Sequence, residues 1–167
     1  MAQHDSGAPI SHTDAAEASA PRGGHDPRTD DRRSRLRETL IEKALEILST
    51  EGLGAMQARR VAQLAGCSVG AIYNVFPDLD ELILRANALT LKRVKAHERE
   101  ALAALPATAT RSERAMALAM AYVDFAFRHE TAWRSLFDYR LTNKKPYPAW
   151  YHEAQADALS VLDATMP

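Results

Sequence analysis

The stretch GCSVGAIYNVF, residues 66–76, decides how this chain is read. A buried helix has no use for Tyr73 and Asn74 side by side, and a solvent-facing helix would not carry Val69, Ile72, Val75 and Phe76. Both are satisfied by a short helix with one face on a core and the other on a partner. Ser68 is placed to open it, because its hydroxyl accepts from the backbone N–H of Gly70 or Ala71. Pro77 closes it by pushing Phe76 out of helical geometry. Ile72 and Phe76, one turn apart, then face a core, with Cys67 packed in the turn. Ser68, Val69, Ala71, Tyr73 and Asn74 are left on the other surface, and the small Gly70 and Ala71 allow close backbone approach.

Working outward, QARRVAQLAG places Ala58, Val61, Ala62 and Ala65 on one face of a second short helix, stopped by Gly66. Upstream, Leu36, Leu40, Ile41, Ala44, Leu45 and Leu48 follow a 3.6-residue period to a stop at Gly52. Residues 1–31 hold Ile10 as the only large aliphatic residue after Met1 and read as a disordered tail. Downstream, Asp78 with Glu81 is a capping-box signal for a long helix to about residue 105. After Pro106, Thr110 with Glu113 signals another helix to about His129. Helical stretches from about Glu130 to Leu141 and from Trp150 to about Ala164 flank a loop with two prolines. No segment alternates as a strand does. The fold expected is all-α: a three-helix helix-turn-helix domain over 32–80, joined by a long helix to a helical domain over 81–167.

Lys+Arg number 21 against 22 Asp+Glu, so any basic patch must be local. The single Cys67 excludes an intramolecular disulfide, and the longest apolar run, Ala115 to Val123, is far short of the roughly 20 residues a membrane span needs. A cytoplasmic protein without a membrane segment is expected.

Two short helices joined by AGCS after a longer one make a helix-turn-helix, whose second helix lies in the DNA major groove. Ser68 and Tyr73 carry hydroxyls suited to phosphate oxygens, which position a protein without reading sequence. Asn74 suits an adenine edge, and Val69 or Ala71 a thymine methyl. Here the residues resemble the N-terminal DNA-binding domain of TetR-family transcriptional regulators. That family's spaced pattern appears as Ala65, Gly66, Cys67, Ser68, Gly70, Ile72, Tyr73 and Phe76, and the likeness runs roughly from Arg33 to Leu84.

The resemblance implies a homodimer on a double-stranded DNA operator, repressing it until a small effector binds the C-terminal domain. The DNA-binding set expected is Arg35, Gln57, Arg59, Ser68, Val69, Gly70, Ala71, Tyr73 and Asn74. The effector set expected is Met116, Met120, Phe125, Trp133, Phe137 and Trp150. The sequence departs from the family at Val75 and Leu79, where a His and a Lys commonly contact phosphates, and at Gln57, where a Thr commonly opens the second helix. Arg32, Arg33, Arg35, Arg37, Arg59 and Arg60 are expected to supply the missing positive charge.

The second half resembles the family's effector domains more weakly and lacks a segment for the two final helices that usually build the dimer interface. A shortened effector domain is therefore expected. A regulator that acts through a protein partner without DNA stands as the alternative. Catalysis is not expected, since the aromatic second half has no Ser-His-Asp spacing and the lone Cys lies in the turn. No cofactor or metal is expected, because His129 and His152 each adjoin a Glu, and sequence neighbours diverge on a helix.

Overall fold

The structure, a computed structural model, describes residues 27–140 and 146–164. Among these, the regular elements are all helical: α1 (Pro27–Thr50), α2 (Ala58–Ala65), α3 (Val69–Val75), α4 (Leu79–Ala103), α5 (Arg111–Arg128), α6 (Glu130–Asp138) and α7 (Ala149–Leu159). Short 3₁₀ turns lie at Leu53–Ala55 and Ser160–Ala164. Among the described residues no helix is long and apolar enough to cross a membrane.

Helix α1 begins at Pro27, whose missing N–H costs nothing at a first helical position, so it starts earlier than the change of composition at Arg32 suggests. The expected tail thus overlaps α1 over 27–31, and the rest of it lies outside the described residues. The loop residues 141–145 lie outside them too. α1 ends where the backbone N–H groups of Glu51 and Gly52 both donate to the Ile47 carbonyl, at 2.8 and 2.9 Å. Gly52 has φ 83°, a conformation that favours glycine.

The remaining punctuation is side-chain chemistry. Asp78 accepts from the Glu81 N–H at 2.8 Å and opens α4. The Glu81 carboxylate does not complete the expected capping box. It accepts instead from Arg85 at 2.8 Å and lies 3.7 Å from Arg37. At α5 the capping box is complete, with Thr110 and Glu113 satisfying each other's backbone N–H groups.

Leu40, Ile47 and Leu48 of α1, Val61 of α2, Ile72 of α3 and Leu82 and Leu84 of α4 are fully buried together. Each such side chain stabilises the fold by roughly 1.5–3 kcal/mol. Tyr139, just after α6, and Tyr151 of α7 belong to the same cluster, so one core runs from the first helices into the second half. Burial pushes the Tyr151 hydroxyl up to about 12.

α4 spans both halves. It packs on α1 and also on α5 and α7. α6 bridges back as well. Ser135 donates its hydroxyl to Asn87 at 2.6 Å, and Asn87 donates to the Ser135 carbonyl at 3.2 Å, both side chains being buried. The Tyr139 hydroxyl donates to Asp80 in the first turn of α4, and burial beside that carboxylate holds its pKa well above the usual phenol range.

Candidate DNA-binding face and ligand cavity

α2 stops at Gly66, whose φ of 64° turns the chain left-handed, and the Cys67 N–H then donates back to the Ala62 carbonyl at 3.0 Å. Ser68 caps α3 by accepting from the Ala71 N–H at 3.2 Å. At the far end the Phe76 N–H reaches the Ile72 carbonyl at 2.8 Å, while its own φ of −121° and ψ of 138° leave the helix before Pro77. This pins a seven-residue helix at both ends.

Its orientation follows from burial. Ile72, Val75 and Phe76 are 0%, 7% and 1% exposed and face the core. Ser68, Gly70, Tyr73 and Asn74 are exposed, with Val69 and Ala71 half-buried beside them. Tyr73 keeps 50% of its surface in solvent. The Tyr73 ring and the Asn74 amide thus stand side by side in solvent, with the Gly70 backbone exposed one turn earlier on the same helix. Gln57 is exposed at the start of α2 without a capping bond from its side chain, and Arg59 is exposed two residues on.

The arginines expected to supply charge divide into two groups. Arg37 lies 4.5 Å over the Phe76 ring and donates to the Val75 carbonyl at 3.3 Å, so it locks the end of α3. Arg60 pairs with Glu51 at 2.7 Å and ties α2 to the end of α1. Arg35 is exposed and pairs with Asp31 one turn earlier. Arg32, Arg33 and Arg59 are exposed without an ion pair among the described residues. At the two positions where phosphate contacts would be usual, Val75 points inward and Leu79 packs half-buried against the core.

The second half holds a cavity of about 500 Å³ between α4, α5, α6 and α7. α4 lends Leu91, Val94 and Glu98, α5 lends Leu118, Ala119 and Tyr122, and α6 lends Leu136 and Phe137. Ala158, Leu159 and Leu162 close the remaining side. Of the six residues proposed for an effector, Phe137 lines this cavity. Trp133 stands behind it, 4.7 Å from Phe137 and 6.2 Å from Tyr122 between ring centres, with its indole N–H buried and without a partner. Phe125 is buried, 4.6 Å from the His129 ring. Trp150 lies under the Arg85 guanidinium at 3.6 Å. Met116 and Met120, 64% and 62% exposed, lie on the outside of α5 with Val123 and Phe127.

Glu98 was not among the residues singled out from the sequence. It is 7% exposed, and burial raises its carboxyl pKa, partly offset by His97. Its signal is its place in the series Leu91, Val94, Glu98, an acid on an apolar stripe.

These observations define an all-helical protein with a helix-turn-helix unit at its N-terminal side and a ligand-sized cavity in its second half. Residues 40–86 match the family model described as bacterial regulatory proteins, tetR family. Over these residues the chain is similar to the N-terminal domain of that family.

Three solved structures are similar to it. The multidrug binding protein EbrR complexed with imidazole shares 23% identity over 85% of this chain and 75% of its own, with a TM-score of 0.52. A proposed tetR family transcription regulator from Shewanella sp. PV-4 shares 15% identity over 77% of this chain and 65% of its own, with a TM-score of 0.52. A possible TetR family transcriptional regulator from Streptomyces coelicolor A3(2) shares 20% identity over 77% and 67%, with a TM-score of 0.49. None of the curated proteins matches the chain.

Proposed function

We propose that this chain is a sequence-specific transcriptional repressor, bound as a homodimer to a double-stranded DNA operator and released when a small effector enters the cavity. The observation that carries the reading is the outer face of α3: exposed Ser68, Gly70, Tyr73 and Asn74 on a helix whose other side is locked into the core. In this reading Tyr73 and Ser68 hold phosphates, Asn74 reads a base edge, and Val69 and Ala71 meet a thymine methyl. Gln57, Arg59 and Arg35 add contacts to the backbone.

The route for release runs along α4, which carries Asp80 beside the recognition unit and Glu98 at the cavity. An effector moves this equilibrium only by preferring the arrangement that does not fit DNA. The likeness of fold to EbrR, itself complexed with imidazole, supports a small-molecule effector. A homodimer suits the single short α3, since two copies double the contact. The exposed series Met116, Met120, Val123 and Phe127 offers the same uncharged stripe on both copies.

Fluorescence anisotropy on a selected duplex tests the reading: specific binding that Asn74→Ala weakens supports it. The alternative, a regulator working through a protein partner, draws on the inward Val75 and on Arg37 and Arg60 being occupied within the fold. Absence of DNA binding at low salt favours that alternative.

A further inference from the structure

We propose that the ligand of the cavity between α4, α5, α6 and α7 is an amphipathic organic cation, with its charge set against the Glu98 carboxylate. This rests on the reading of the cavity as the effector site. Polar groups in the lining come from Glu98, Tyr122 and Gln155, and every other lining side chain is apolar. Glu98 is therefore the one carboxylic acid in the lining. It is buried and makes no hydrogen bond or ion pair among the described residues. A buried carboxylate without a partner is destabilising, and a cation with an apolar body relieves that cost while filling the rest of the space.

The bases near Glu98 in sequence do not do this. The Lys95 ammonium is held by Asp157 at 2.6 Å, and the His97 ring by Asp124 at 2.9 Å. Arg99 is exposed. Burial also raises the Glu98 pKa, and the His97 ring, engaged by Asp124, offsets this only in part. The aromatic rings fit the same ligand. Tyr122 and Phe137, 37% and 50% exposed, offer faces on which a delocalised or quaternary cation is attracted by the ring quadrupole. Trp133 braces both from behind. A ligand anion would meet an uncompensated carboxylate in an apolar wall. A neutral ligand would leave that carboxylate unpaired.

Isothermal titration calorimetry on the full chain tests this with two probes, tetraphenylphosphonium chloride and the neutral triphenylphosphine oxide. The cation should bind at least about tenfold more tightly than the oxide. Glu98→Gln should lose most of that preference while the oxide binds as before, and a melting temperature no lower than the parent's confirms that the variant folds. Ala119→Trp, which puts an indole into the cavity and leaves the carboxylate in place, should abolish binding of both. If Ala119→Trp abolishes binding but the wild type shows no preference for the cation, the cation proposal fails and the cavity reading stands. If the cation binds and survives Ala119→Trp, the cavity reading fails with it. Binding of neither probe to the wild type also overturns the proposal.

Discussion

Tyr73→Phe and Asn74→Ala separate holding DNA from reading it. Both side chains are exposed in the free protein, and the Tyr73 hydroxyl makes no hydrogen bond among the described residues. Neither change should therefore disturb folding, and any loss of affinity reports on the complex. Tyr73→Phe removes one hydroxyl. If that hydroxyl donates to a phosphate oxygen, the loss is that of a hydrogen bond to a charged group, about 1.5–3 kcal/mol. At about 1.4 kcal/mol per decade this is about 10- to 150-fold per half-site. The loss should be the same for every site variant. The salt dependence should not change, because no charge is removed. Asn74→Ala should cost about 1–3 kcal/mol per half-site on the preferred sequence and relax discrimination at one base pair. The assay is fluorescence anisotropy at fixed salt on duplexes that differ from the selected site by single base pairs. If Asn74→Ala lowers affinity equally for all duplexes, it does not read a base. If Tyr73→Phe leaves affinity unchanged, the ring is not a phosphate contact.

Three further outcomes follow from the packing. Val75→His should lower the melting temperature and leave the salt slope of DNA binding unchanged, because the side chain is 7% exposed and faces the core; a steeper slope would place it at the DNA backbone instead. Gly52→Ala should cost about 1–2 kcal/mol for an L-residue at φ 83°, with its Cβ brought 3.2 Å from Thr131 Cγ2 as well. A fall of about 2–8 °C in melting temperature is expected, and an unchanged melt would refute the strained turn. For Glu98, burial raises the folded pKa above 4.5, so the protonated form is favoured in the folded state and stability is lost as pH rises through the folded value. Glu98→Gln should therefore raise the melting temperature at pH values well above 4.5, with the gain fading as pH falls towards it; a gain that persists at acid pH would point to packing instead.

Local chemistry made the helix-turn-helix legible. Ser68, Asp78 and Thr110 each carry a side-chain oxygen at a helix start, and Gly52, Gly66 and Pro77 each block helix continuation. These signals act within a few residues and do not depend on the rest of the fold. The direction of Val75 was obscured by comparison with a family pattern. On a helix, positions three and four residues beyond Ile72 share its face, and that rule alone turns Val75 and Phe76 inward together.

The ligand side was less legible. α5 is apolar at nearly every position from Ala115 to Phe127, so its period does not choose a face. Packing chose Leu118, Ala121 and Phe125 for burial and left Met116 and Met120 outside. Glu98 was hidden in the charged run KRVKAHERE, where one acid among many looks like a solvated face. Only the arrival of α5 and α7 beside α4 makes it a buried charge.

The central claim, that the outer face of α3 recognises DNA, is tested most directly by repeated selection from a random duplex library with the purified chain. The account predicts enrichment of one sequence with two half-sites about one helical turn, or a multiple of it, apart. A Tyr73→Ala, Asn74→Ala double variant should lose that enrichment while keeping the parent's melting temperature. A selected pool indistinguishable from the input, even at low salt, would contradict it.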